Sequence, residues 1–234
     1  MNTDKEFSLK NNHSPIYDIT KFTHLDYPDH LAAIIWFAGC NMRCDYCYNK
    51  EIVFAKSGSI SQEDALDFLR SRVSLLDGIV LSGGEATAYD LTEFIQAIKE
   101  LGFAVKLDTN GTNFSNLKKL LSNQLLDYVA LDYKAPKKKF LAITHNTRFE
   151  DFSKSLDLLL HSDIAFEVRT TLHSDLLNPD DINAIISDLY NRGYQNNYYI
   201  QEFVDTKTTI AKLKRPSQQF DKTQLKKFIP IVWR

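Results

Sequence analysis

Leu31-Ala32-Ala33-Ile34-Ile35-Trp36-Phe37-Ala38-Gly39-Cys40-Asn41-Met42-Arg43-Cys44-Asp45-Tyr46-Cys47 is the stretch on which the rest of the chain depends. Eight apolar residues are followed at once by a polar loop that contains all 3 cysteines of the protein. The apolar run has the length and β-branched, aromatic content of a buried strand. It is far short of the ~20 residues a membrane-spanning helix needs. The thiols are spaced C-x3-C-x2-C, an odd count that fits poorly with a disulfide framework. Soft thiolates select iron–sulfur clusters or zinc. A protein-held cubane normally takes four cysteines, so three would leave one iron with an open coordination position. Zinc would need a fourth protein ligand at regular spacing, and no pair of the 6 histidines has such a spacing.

Outward from this loop the chain repeats one pattern. Strands are expected at 31–38, 78–81, 104–107, 126–131, 164–170 and 197–203. Helices are expected at about 62–72, 91–101, 117–121, 152–160 and 179–190, with a last short one ending at 225–228. Ser61 and Asp64 form an acidic capping box, while Asn178 caps a helix with Pro179 at its first position. Short apolar strands alternating with amphipathic helices predict an α/β fold with a parallel sheet. Six βα units fall short of the ~250 residues of a closed eight-unit barrel, so a partial (βα)6 TIM-like barrel is expected over 31–234. Residues 1–30 read as a short N-terminal extension, and the stretch between the fourth strand and the helix at 152 reads as a long basic loop.

The composition is that of an ordinary globular protein: 44% hydrophobic, 25% charged, 28 basic against 30 acidic residues and a net charge of −2. No basic field argues for nucleic acid. No apolar h-region adjoins Met1–Glu6, against a secretory signal, and unpaired thiols fit the cytoplasm.

In a barrel the reactive groups gather at the C-terminal ends of the strands. There the sequence places Cys40, Cys44 and Cys47, then Ser82-Gly83-Gly84-Glu85, Asp108-Thr109-Asn110-Gly111, and Asp132 with Lys134, with Arg169 and Gln201 near the ends of the last two strands. All are expected on one rim.

These motifs resemble those of the radical S-adenosylmethionine (SAM) enzymes, whose hallmark is the C-x3-C-x2-C loop after the first strand. The resemblance implies a [4Fe–4S] cluster on Cys40, Cys44 and Cys47, with SAM chelating the fourth iron. It implies that Tyr46 lies against the adenine and that Gly83, Gly84 and Glu85 bind the methionine amino group. Val105–Gly111, Val129–Pro136, Glu167–Thr171 and Ile200–Phe203 are similar to segments of glycyl-radical-enzyme activases, nearest the group called anaerobic ribonucleoside-triphosphate reductase activating proteins. Leu25-Asp26-Tyr27-Pro28-Asp29 resembles that group's pre-strand segment, with Asp29 where glycine is usual. In the pyruvate formate-lyase type, the positions matching Asp108, Thr109 and Asp132 help hold a monovalent cation beside the SAM carboxylate. Lys134, Arg169 and Gln201 match further SAM contacts. An ion pair between Arg169 and Glu167 is the structural alternative for that arginine.

The implied function is a radical SAM oxidoreductase that cleaves SAM to a 5′-deoxyadenosyl radical and installs a glycyl radical on a protein partner. An external donor such as flavodoxin or ferredoxin would supply the electron. Two other readings are weighed beside it: similar chemistry on a small molecule or nucleotide, as in carboxy-deazaguanine synthases, and a non-catalytic cluster- or zinc-binding interaction protein.

Overall fold

The computed structural model describes residues 14–234, so the first part of the expected N-terminal extension lies outside the described residues. The chain divides into two compact units. One comprises the chain through Asn41, Glu51–Thr109 and Ser115–Tyr128; the other comprises Met42–Lys50, Asn110–Phe114 and Val129–Arg234.

In the first unit the strand order is β1 (Ile16–Thr23), β2 (Ala32–Phe37), β3 (Gly78–Gly83) and β4 (Ala104–Thr109). The pairs β2/β3 and β3/β4 are parallel. Between the strands lie α1 (Lys50–Phe54), α2 (Gln62–Arg70) and α3 (Thr92–Glu100), and α4 (Phe114–Ser122) follows β4. The expected capping box opens α2, with Ser61 and Asp64 each accepting from the other's backbone. Alternation along the parallel strands sorts their side chains onto two faces. Phe37 meets Phe94 of α3 edge to face at 6.3 Å, so the face carrying Ala33, Ile35 and Phe37 packs on helix. The other face carries Ala32, Ile34 and Trp36, and there Tyr27, Ala32, Ile34 and Val80 form a buried cluster with Trp36 and Ala104 packed against it.

Strand β1 was not legible as a strand. It pairs antiparallel with β2, but as an edge strand only its end residues, Ile16 and Thr23, are buried, so no clean alternation marks it. The turn after β1 brings Tyr27 beneath Gly78, where an added Cβ would lie 2.8 Å from the tyrosine ring. Asp29 in this turn has φ 60°. That left-handed conformation is the one glycine adopts most easily, which gives a physical reason for the glycine usual in the group the sequence resembles.

In the second unit the order is β5 (Tyr128–Asp132), β6 (Ala165–Leu172), β7 (Tyr198–Glu202) and β8 (Ile231–Trp233), with β6/β7 and β7/β8 parallel. The helices are α5 (Lys137–Thr144), α6 (Phe149–Leu160) and α7 (Pro179–Asn191). Asn178 and Asp181 form a capping box on α7, with Pro179 in its first turn. All six expected strands are present within a few residues. Two expectations need correction. The basic stretch after β5 is not a loop: it folds as α5, burying Phe140, Ile143 and Thr144 on one side, while Lys137 and Lys139 are drawn to Glu150 and Asp181. At 225–228 no helix forms; a 3-10 turn at Lys222–Gln224 leads instead to the three-residue strand β8. Among the described residues β1 and β8 each pair on one side only, so this α/β sheet is not closed.

Candidate active site

In the first unit the ends of three adjacent parallel strands carry Cys40, the Gly83-Gly84-Glu85 turn, and Asp108 with Thr109. The turn is locked onto the start of the cysteine loop. Gly84 N–H donates to Phe37 O at 2.9 Å and Glu85 N–H to Gly39 O at 2.9 Å. A Cβ on Gly84 would stand 1.9 Å from Gly39 O, and one on Gly83, at φ 118°, 2.3 Å from Phe37 N. Both positions therefore demand glycine. Tyr89 Oη donates to Ala38 O at 2.8 Å, fixing the same backbone from the other side.

Glu85 is buried. Its Oε1 accepts from Thr87 N at 3.2 Å, Thr87 Oγ1 at 2.5 Å and Thr109 Oγ1 at 2.7 Å. A buried carboxylate so held has a set direction before any ligand arrives, which suits it to receive an ammonium. Asp108 accepts from Lys106 Nζ at 2.5 Å and from Ser82 Oγ at 3.2 Å. Lys106 was quoted in the sequence only as part of a motif. The signal that could have singled it out is a lysine inside an otherwise apolar buried strand.

In the second unit the rest of the cysteine loop is pinned from two sides. Arg43 N–H donates to Thr144 O at 2.9 Å and Asp45 N–H to Ile143 O at 3.0 Å, both at the end of α5. His145, capping that helix at φ 54°, meets Asp45 Oδ1 at 2.7 Å. From the segment before β8, Ile210 N–H reaches Cys47 O at 3.0 Å and Ala211 N–H reaches Asp45 O at 3.1 Å. That segment is tied in turn to the loop after β6: Asp175 accepts from Ser217 N and Gln218 N, and His173 lies 2.9 Å from Lys214 O. Neither anchor was read from the sequence, because each depends on residues far away in the chain.

Cys44 is buried, and burial pushes its thiol up to about 12, although the Lys134 ammonium pulls the other way. Tyr46 is buried, its phenol raised by desolvation, and its Oη donates to Lys134 O at 3.3 Å. Asp132 sits between two cations, Lys134 Nζ at 3.0 Å and Arg169 Nε at 3.0 Å. Burial alone would raise that carboxyl, but Arg169 and Lys134 prevail and hold it at about 2. Burial likewise disfavours the Lys134 ammonium, yet Asp132 leaves its pKa raised. Glu167, the other acid considered for Arg169, carries the guanidinium of Arg234 in two contacts of 3.3 Å. Gln201 lies in β7, paired in register with Thr171.

The donor set suits an iron–sulfur cluster. None of the three cysteines is in a disulfide. Gly84 approaches Gly39–Cys40 more closely than any side chain would allow. Among the described residues no three His, Cys, Asp or Glu side chains converge as a single metal ion would require, whereas a cubane presents a different iron to each thiolate. No helix of the described residues is long and apolar enough to cross a membrane.

Comparison with known proteins agrees. A Methanocaldococcus jannaschii protein provisionally named a glycyl-radical enzyme activating enzyme is 33% identical over 177 residues, covering 71% of this chain and 72% of its own. A pyruvate formate-lyase-activating enzyme of Clostridium pasteurianum is 28% identical, covering 61% and 63%. A 7-carboxy-7-deazaguanine synthase of Methanopyrus kandleri is 28% identical, covering 51% and 53%. The structure described as native anSMEcpe with bound AdoMet superposes with a TM-score of 0.58 at 20% identity, over 72% of this chain and 50% of that one. The chain thus spans only half of that solved protein, and the likeness shows a common fold. The family described as the Radical SAM superfamily matches residues 34–189, two thirds of the sequence and both glycine- and cysteine-bearing loops, and the chain belongs to that superfamily.

Proposed function

We propose that this protein is a glycyl-radical-enzyme activase, with an anaerobic ribonucleoside-triphosphate reductase as its partner. What carries the reading is the similarity to the M. jannaschii protein, which extends over more than two thirds of both chains. Membership of the superfamily implies a [4Fe–4S] cluster and SAM. In this reading Cys40, Cys44 and Cys47 hold the cluster, Gly83, Gly84 and Glu85 receive the methionine ammonium, Tyr46 faces the adenine, and Thr109, Lys134, Arg169 and Gln201 complete the SAM contacts. When bound on these residues, the cluster would supply the one-electron reduction by which SAM is cleaved to methionine and a 5′-deoxyadenosyl radical. The electron comes from a flavodoxin or ferredoxin in a cytoplasmic setting. The hydrogen atom to be removed would be that of a glycine Cα of the partner, so that 5′-deoxyadenosine and a glycyl radical would result. The protein's part is to hold direction: Glu85 is fixed by three donors and the cysteine loop by two anchors.

A monovalent cation at Asp108, Thr109 and Asp132 belongs to the same resemblance. The residues fit it poorly. Lys106 already lies on Asp108, and Lys134 and Arg169 on Asp132.

Reconstituted anaerobically, the protein should turn SAM and dithionite into 5′-deoxyadenosine, and Cys44→Ala should abolish this. With a partner carrying deuterated glycine, deuterium should enter the 5′-deoxyadenosine. Absence of transfer from every glycyl radical enzyme of the same cell would sink the activase reading. Consumption of a small molecule or nucleotide instead would favour the deazaguanine-synthase type, a member of which is 28% identical over 51% of the chain.

A further inference from the structure

Lys106 is an unusual occupant of its position. In register it stands beside Val80, which stands beside Ile34, on the sheet face opposite the one packed on α3. An apolar side chain would continue that row. The chain instead places an ammonium there, only 2% exposed, and burying an ammonium is costly unless it is paired. Lys106 and Asp108 are two apart on one strand, so they share a face. The lysine stem runs along the apolar row, and Nζ meets Asp108 Oδ1 at 2.5 Å, at the strand end where the carboxylate is also held by Ser82. A stability role alone would be better served by an apolar residue at 106 and a neutral one at 108, because replacing a buried ion pair by packed apolar groups is often neutral or stabilising. The pair brings a positive charge onto Asp108 from within the strand.

We propose that Lys106 is a positioning residue that supplies, from within the chain, the positive charge a monovalent ion would otherwise bring to Asp108, so that SAM binding here needs neither K+ nor Na+. The proposal rests on the radical SAM reading above for the ligand, but not for the pairing. In Asp132 the second unit repeats the arrangement with Lys134 and Arg169, so each carboxylate assigned to the cation carries a resident one.

Two measurements on the full-length chain test this. In the cluster-free protein, the melting midpoint is compared in KCl, NaCl and tetramethylammonium chloride of equal ionic strength. The wild type should differ by less than about 1 °C among them, whereas Lys106→Met should be raised by about 2–4 °C in K+ or Na+, the size of shift expected for a chain of this length. In the cluster-loaded protein, the dissociation constant of SAM should vary less than about twofold with salt for the wild type. For Lys106→Met it should weaken about tenfold in tetramethylammonium and recover in K+ or Na+. A wild-type midpoint or SAM affinity that rises specifically with K+ or Na+ overturns the proposal, and so does a Lys106→Met protein indifferent to them in both assays. Should Lys106→Met fail to fold, the wild-type salt comparison decides alone, with Lys106→Arg expected to keep its indifference. If the wild type binds no SAM in any salt, the proposed function fails, while the cluster-free comparison still decides the role of Lys106.

Discussion

Strands β4 and β5 both carry a Leu-Asp step near their C-terminal ends, and both aspartates meet a lysine two residues away, but from opposite directions. Lys106 precedes Asp108 inside the strand and is sealed from water, 2% exposed against 15% for its partner. Lys134 follows Asp132 outside the strand, is 20% exposed, and shares the carboxylate with Arg169. The Lys106 side chain is closed off by its neighbours, whereas Lys134 keeps a partly exposed side. A pair built after the strand end can turn toward water or a ligand. The same two residue types thus give a fixed charge in one unit and an adjustable network in the other.

The most forceful way to break this comparison is to remove the carboxylates in turn. Asp108→Ala strands a buried ammonium and should cost ~3–5 kcal/mol in urea unfolding of the cluster-free chain. Asp132→Asn keeps a neutral acceptor for the two cations and leaves Lys134 a partly exposed side, and should cost less, ~1–3 kcal/mol. Equal losses would erase the distinction. Acid sharpens it further. Asp132 titrates at about 2 in the folded chain against about 3.9 unfolded. Its contribution, roughly 2–3 kcal/mol at most, is therefore fully present above pH ~4 and lost as pH falls toward 2. The stability gap between wild type and Asp132→Asn should close over that window, and a gap that persists at pH 2 would show that the cations do not hold the carboxyl down. The smallest effect belongs to the exposed pair Lys119–Asp90, whose side chains are 47% and 68% exposed. Asp90→Asn should change stability by less than about 0.5 kcal/mol, and a larger loss would undo the use of burial as the deciding variable.

The parts of the fold legible in the sequence are those whose signal is local. Six strands announce themselves as apolar runs, and the helices after Ser61 and Asn178 announce their caps. The elements that escape are decided by distant partners. Strand β1 exists because β2 offers it an edge, β8 because β7 does, and α5 because Phe140 and Ile143 find a buried side although its first turn is three lysines. The site divides similarly. Cysteine spacing and the glycine turn are visible as residues at fixed offsets, and the structure supplies the physical reason for the glycines in the approach of Gly84 to Gly39 O. What holds Asp45 and Cys47, and what sits on Asp108, are contacts that no offset predicts. Asp132, Lys134 and Arg169 were legible as candidates, but not as one ion-paired group.

The two anchors of the cysteine loop also bear on the order of events during synthesis. Protein domains generally fold as units, and the N-terminal part of a chain emerges first. Here the thiols leave the ribosome early, yet the amides that meet the carbonyls of Asp45 and Cys47 belong to Ala211 and Ile210, near the other end. A nascent chain halted before residue 210 would carry its three cysteines on a loop lacking part of its support. On the proposed function, a cluster entering the finished loop would have to follow synthesis of residues 210–211, and shortening the chain behind β7 should show itself first as poor iron retention rather than as loss of fold.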